Sequence, residues 1–223
     1  MIYGILVVAL IFTVSMLLRH EFALNDRGIF LWKPLSSTLM TVILLAAFFR
    51  ADPSDSTYTL ALLPGVLLCF GGDMALMFTK KSSRAFLIGL VLFLLGHVAY
   101  TVTFIAFNGF HSSDWISAAV LAVFGLGVYL YILPGLGSMK VPVLFYVLII
   151  SLMVNRGLST FSGNYFSPVQ AWLISLGAIL FYISDVVLAL GKFRHAWKYG
   201  RINLAFYYAG QVCIAMSAGF HFL

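Results

Sequence analysis

The sequence predicts an all-α, polytopic membrane protein of eight transmembrane helices, and three observations lead there. Of the 223 residues, 62% are hydrophobic and only 9% are charged, against about 25% charged in a soluble domain. Apolar runs of helix-spanning length recur along the whole chain, separated by short stretches of Gly, Pro, Ser, Asn and charge. The 21 Phe, 11 Tyr and 4 Trp suit an outer face in lipid and rims at the interface.

At about 20 residues per crossing, the spans fall at 2–18, 32–49, 58–79, 85–107, 115–133, 141–158, 169–190 and 202–222. The first has no basic residue before it and no small-residue cleavage pattern after it, so it reads as a helix of the mature protein rather than a signal peptide. The separators RHEFALNDRG, RADPSDS, KKSSR, NGFHSSD, PGLGSMK, NRGLSTFSGNYFSP and GKFRHAWKYGR leave no room for a soluble domain, so 1–223 is one transmembrane domain.

Charge sets the expected orientation. Eleven of the thirteen Lys and Arg (Arg19, Arg27, Lys33, Lys80, Lys81, Arg84, Lys140, Lys192, Arg194, Lys198 and Arg201) follow odd-numbered spans, and only Arg50 and Arg156 fall on the other side. The positive-inside rule makes the odd loops cytoplasmic and both termini external. A formal net charge of +6 then reports topology and anionic lipid contact, and nucleic acid is not an expected partner. Cys69 and Cys213 sit in apolar spans without CxxC or Cys/His spacing, as buried free thiols do.

Two carboxylates lie inside the predicted hydrocarbon: Asp73 in the third span and Asp185 in the seventh. At such depth an aspartate costs at least ~2.5 kcal/mol, so it is tightly paired or kept for function. Each precedes a lysine (Lys80, Lys192) by seven residues, which puts both about 10 Å from the cytoplasmic rim. The surrounding segments echo one another: FGGD, then Lys80, then FLLGH, against YISD, then Lys192, then YYAGQ, with Lys33-Pro34 and Lys140-Val141-Pro142 opening spans two and six. The pattern fits a parallel duplication of four helices, which would face the two aspartates across a pseudo-twofold axis along the membrane normal.

Other polar residues near that level admit two readings. Gly71 and Gly72 read as small-residue helix packing. Ser184 adjoins Asp185, and Tyr182 precedes it by three, so both either line a site or pack. His97, with Gly96 and Tyr100 on the fourth span, counts to about 20 Å from Arg84, nearer the outer leaflet than the aspartates, and is either a packing residue or a site residue. Asn203, Tyr207 and Gln211, spaced by four, form a polar stripe that faces inward, with Tyr208 beside it, and either lines a cavity or ties helices. Lys33, placed by the span limits in the first turn of helix two, either snorkels to the interface or binds a lipid phosphate.

Competing chemistries lack their signatures. His20, His111, His195 and His221 form no HxxxH or HExxH pair, and no GxSxG elbow or phosphate-cradling GxxxxGK[ST] occurs. The carboxylate pair remains the candidate catalytic group, and it needs no metal or organic cofactor. A proton-coupled transporter or flippase is the alternative that paired membrane carboxylates and a repeat also suit. A structural protein with a buried Asp pair is the third.

The KPLS segment at Lys33–Ser36, the GGD ending at Asp73, the GHxxY of Gly96, His97 and Tyr100, and the SD of Ser184 and Asp185 together resemble the YhhN family of membrane proteins, which includes animal lysoplasmalogenases. The resemblance spans nearly the whole chain. It implies hydrolysis of the vinyl ether of a lysoplasmalogen to a fatty aldehyde and a glycerophospho-ethanolamine or -choline, with Asp73 and Asp185 as the active-site pair and a lysophospholipid as substrate. The chemistry suits the residues: a vinyl ether hydrolyses by protonation at carbon, water captures the oxocarbenium ion, and the hemiacetal collapses. Two carboxyls sharing one low-dielectric site would supply one protonated and one charged group. Short loops and the lack of retention or lipidation signals point to a bacterial inner membrane.

Overall fold

The computed structural model describes residues 2–49, 56–195, 197 and 200–219; Arg50, Lys198, His221 and the end of the eighth predicted span lie outside them. The described residues form eight α-helices: α1 (Ile2–Phe22), α2 (Asp26–Phe48), α3 (Ser56–Met77), α4 (Ser83–Asn108), α5 (Asp114–Ile132), α6 (Lys140–Ser159), α7 (Pro168–Phe193) and α8 (Asn203–Ser217). Seven are long and apolar enough to cross a bilayer, and the chain is an integral membrane protein. The eighth, at 15 residues, rises only about 22 Å of the roughly 30 Å hydrocarbon core.

Most helix limits lie within a few residues of the hydropathy spans, but the first connection does not. α1 runs on to Phe22, and α2 begins at Asp26, six residues before its expected start. Hydropathy marks where lipid ends, whereas a helix ends where its backbone is capped. Asn25 caps α2 by accepting the Gly28 N–H through its side chain, and Asp26 sits favourably in the first turn. Pro34 is therefore interior to α2, not in its first turn, and leaves the Phe30 carbonyl without its usual helical donor. At the other end, Ser167 and Gln170 form a reciprocal capping box with Pro168 at the first helical position of α7.

The helix pairing repeats with a period of four. The most extensive contacts are α3 on α4 and α7 on α8; α1 packs on α2 as α5 does on α6, and α2 on α3 as α6 does on α7. The halves meet where α4 packs on α6 and, equivalently, where α8 packs on α2. Glycines set the two tight crossings. Eight residues before Asp73, Gly65 lies so close to α4 that a Cβ there would collide with the Tyr100 ring, and a Cβ on Gly96 would stand 3.3 Å from the Gly65 carbonyl oxygen. Eight residues before Asp185, Gly177 meets Gly210 of α8 so tightly that a Cβ on either would lie 2.7 Å from the other's carbonyl oxygen. Each aspartate thus sits two turns beyond a close crossing, which holds its level relative to the neighbouring helix. The repeat is imperfect: α1 also packs on α8, while α5 leaves most of its surface outward.

The connections after α1, α3, α5 and α7 gather at one end. Lys80 pairs with Asp26 at 2.6 Å, Arg201 with Glu21 at 3.3 Å, and Gly135 abuts the Phe193 carbonyl. The opposite end is fastened by a buried ion pair, Arg156 Nη2 to Asp114 Oδ2 at 2.8 Å, with the guanidinium over the Phe110 ring.

The Gly177–Gly210 crossing makes a sharp stability prediction. Gly210→Ala must push apart two backbones and is expected to cost about 1–3 kcal/mol, seen as a lower unfolding temperature in detergent. Gly127→Ala, where a Cβ meets nothing within 4 Å, should leave that temperature unchanged or raise it slightly. Equal effects at the two positions would contradict the close crossing.

Candidate active site

Asp73 is buried and saturated. Its Oδ2 accepts hydrogen bonds from Ser37 Oγ at 2.7 Å and Tyr207 OH at 2.8 Å, with Tyr208 OH at 3.5 Å, and its Oδ1 faces Lys33 Nζ at 3.6 Å. Lys33 and Ser37 stand one turn apart on α2, so both reach the same carboxylate. Tyr207 and Tyr208 come from α8, in the other half of the chain. Gly72 matters by what it lacks: a Cβ there would stand 2.7 Å from the Phe93 ring, which packs edge-on against Tyr207. Lys33 is buried and turned toward the carboxylate, so the snorkelling reading does not describe it.

Asp185 has a different setting. Its Oδ2 accepts a hydrogen bond from Tyr146 OH of α6 at 2.6 Å, and His97 Nε2 of α4 lies 3.7 Å from the same oxygen. As with Asp73, one hydroxyl comes from the preceding helix and another group from the last helix of the other half. The His97 ring is fully buried, edge-on against Tyr146 and Phe181, and neither of its nitrogens has a hydrogen-bond partner among the described residues. The depth count placed His97 a level away from the aspartates; the structure brings it to Asp185. That count follows the backbone from Arg84 and Lys192 taken as one plane, whereas the His97 and Asp185 side chains each reach several ångström from their helices.

The described hydrogen bonds give the two carboxylates no common partner. Aromatic rings stand between them: Tyr207, which donates to Asp73, packs on Phe181 at 5.1 Å, and Phe181 packs on His97 at 4.6 Å.

Two cavities adjoin this arrangement. The first lies among α3, α4, α5, α6 and α7 and is apolar, with Asp185 as its one charged residue and Tyr146 and Tyr182 as its other polar ones. The second, at the end where the odd-numbered connections gather, is lined by Glu21, Asp26, Lys33, Lys80, Lys192, Arg201 and Asn203. Leu76, Phe86 and Leu188 belong to both, so the cavities share a wall. The space is charged on one side and greasy on the other.

The remaining expected site residues divide. Tyr182 lines the apolar cavity, 3.3 Å from Ser151 Oγ, and Asn203 lines the charged one. Tyr100 instead donates to Gln211 Oε1 at 2.7 Å under the Gly65 crossing, a tie between α4 and α8. Ser184 is buried but is not part of the apolar cavity's lining. Asn203, Tyr207 and Gln211 are all buried, so the polar stripe of α8 does face inward. Sequence reasoning missed Ser37 and Tyr146, the closest donors to the two carboxylates.

A helical membrane bundle with a polar site buried between two four-helix halves is the class these features define. Residues 29–218 match the YhhN family, and the chain belongs to it. It is 25% identical over 201 residues to a lysoplasmalogenase homolog of Dictyostelium discoideum, a match covering 74% of this chain and 64% of that protein. It is 29% identical over 180 residues to lysoplasmalogenase TMEM86B of Rattus norvegicus (79% of this chain, 69% of that one) and 28% identical to that of Sus scrofa (80% and 72%). The chain therefore spans a little under two thirds of the Dictyostelium protein's length. No solved structure matches it significantly.

The Asp73–Lys33 pair should behave as a unit. Asp73→Asn or Lys33→Gln alone leaves one buried charge unmatched and is expected to cost about 3–5 kcal/mol, while the double variant should recover part of that loss. A double-mutant cycle on thermal unfolding reads the coupling; additive losses would mean the two side chains do not interact.

Proposed function

We propose that this protein is an intramembrane hydrolase that cleaves the vinyl ether of a lysoplasmalogen, releasing a fatty aldehyde and a glycerophospho-ethanolamine or -choline. The observation that carries the reading is the carboxyl of Asp185 in the wall of an otherwise apolar cavity adjoining a charged one. Such a site fits a single-chain amphiphile, with an acid where its polar and apolar parts meet. The lysoplasmalogenase names of the relatives support the same chemistry.

The tail lies in the apolar cavity, and the head group lies in the charged one. Protonated Asp185 donates its proton to the vinyl carbon remote from the ether oxygen, leaving an oxocarbenium ion and a carboxylate. Tyr146, already donating to Oδ2, stabilises that new charge. Water entering beside Asp185 adds to the cation and gives its proton back to that carboxylate, so one carboxyl serves as acid and then as base. The hemiacetal then collapses to aldehyde and alcohol with no net proton change. Of the two aspartates proposed for the site, Asp185 touches the reacting bond, and Asp73 forms with Lys33 a buried pair that braces the wall of the charged cavity. The basic end is cytoplasmic, and the membrane is a bacterial inner membrane.

Aldehyde release per mole of folded protein, measured below the unfolding temperature of each purified variant, tests this division. Asp185→Asn should lower kcat about a hundredfold or more, and Tyr146→Phe about tenfold. The pair Asp73→Asn with Lys33→Gln should act better than Asp73→Asn alone. Undiminished turnover by Asp185→Asn would remove the mechanism, and a double variant as inactive as Asp73→Asn would give Asp73 a direct chemical role. A transporter would release no aldehyde in detergent.

Orientation is checked separately. Reporter fusions after Lys81 should read as cytoplasmic and fusions at Leu223 as external; the opposite pattern would invert the membrane placement of both cavities.

A further inference from the structure

The charged cavity contains an imbalance. Lys33 faces Asp73, Lys80 pairs with Asp26, and Arg201 pairs with Glu21. Lys192, on the same lining, has no carboxylate partner among the described residues; its ammonium rests over the Phe86 ring, 4.8 Å from the centroid. Phe86 belongs to the shared wall between the charged and apolar cavities. One unmatched positive charge therefore sits at the polar edge of the apolar space, where the single negative charge of a phosphodiester would neutralise it.

Position along α7 adds a second, independent observation. Lys192 follows Asp185 by seven residues, which is two turns, so both side chains leave the same face of the helix, about 10 Å apart along its axis. Both line the paired cavities. In a 1-alkenyl glycerophospholipid the vinyl carbon that takes the proton lies about seven bonds from phosphorus, or roughly 8 Å when extended at the span per bond of an extended chain. The lysine side chain is long and flexible enough to absorb the difference.

We infer that Lys192 holds the phosphodiester of the lysophospholipid head group, and that its two-turn spacing from Asp185 on one face of α7 sets the reach from phosphate to vinyl ether. The phosphate site stands on geometry and charge; the reach to the vinyl ether rests on the hydrolase reading above. Lys33, the phosphate ligand the sequence offered, is engaged with Asp73 at 3.6 Å and serves the carboxylate instead.

The test separates binding from turnover. Affinities of detergent-purified protein are measured, by displacement of a fluorescent lysolipid, for a saturated 1-O-alkyl-glycero-3-phosphoethanolamine, for the matching phosphate-free 1-O-alkylglycerol, and for inorganic phosphate. Lys192→Gln should weaken the phospholipid about tenfold, Lys192→Arg should restore most of that loss, the phosphate-free lipid should bind both forms equally, and inorganic phosphate should not displace the probe. Equal affinity of wild type and Lys192→Gln for the phospholipid overturns the assignment. Equal loss for both lipids also overturns it, since the lysine then acts through packing on Phe86, and displacement by inorganic phosphate makes the site one for a free anion. Because the ether lipid is not cleavable, a wild-type protein that binds it in this way but releases no aldehyde from a lysoplasmalogen would refute the hydrolase and leave the phosphate site standing.

Discussion

Placing a carboxylate at the depth of hydrocarbon is unfavourable by several kcal/mol unless donors reach it from the protein itself, and this bundle holds two there, Asp73 buried and Asp185 part-buried in a cavity wall. Asp73 draws Lys33 and Ser37 from α2 and Tyr207 from α8; Asp185 draws Tyr146 from α6 and lies beside His97 of α4. In each case the partners come from both halves of the chain. Packing around the two carboxyls therefore brings the halves together, and the same contacts shape the space between them. The stabilising demand and the chemical opportunity have one origin.

The two aspartates end in unlike surroundings although their helices are arranged alike. Lys33 and a ring of hydroxyls occupy Asp73 fully. Asp185 has one hydroxyl, a histidine without a hydrogen-bond partner among the described residues, and a cavity in front of it. A near-symmetric frame with one closed and one open carboxyl is a physical basis for dividing positioning from chemistry. Between them the aromatic rings Tyr207, Phe181 and His97 keep the environments separate while packing them rigidly.

Much of this was legible because charge inside an apolar run is conspicuous. Asp73, Asp185 and Lys33 stood out in that way, and the i, i+4 stripe of α8 foretold its inward face. Ser37 and Tyr146 did not, since a serine or tyrosine in a lipid-spanning helix has many uses and their partners lie 36 and 39 residues away in sequence. The early start of α2 was hidden because its first turn, Asp26 to Ile29, is polar enough to read as a connection although Asn25 caps it as a helix. The place of His97 was misjudged because residue counts assume parallel helices with level ends. Lys192 was visible only as a topology marker until the cavities showed what it faces.

The most direct measurement is hydrolysis of a lysoplasmalogen in deuterium oxide by the detergent-purified protein, without any ion gradient. Proton delivery to carbon from Asp185 should slow turnover by a primary solvent isotope effect and place one deuterium on carbon 2 of the trapped aldehyde. Recovery of intact lipid, or aldehyde without that deuterium, would contradict carbon protonation at this site.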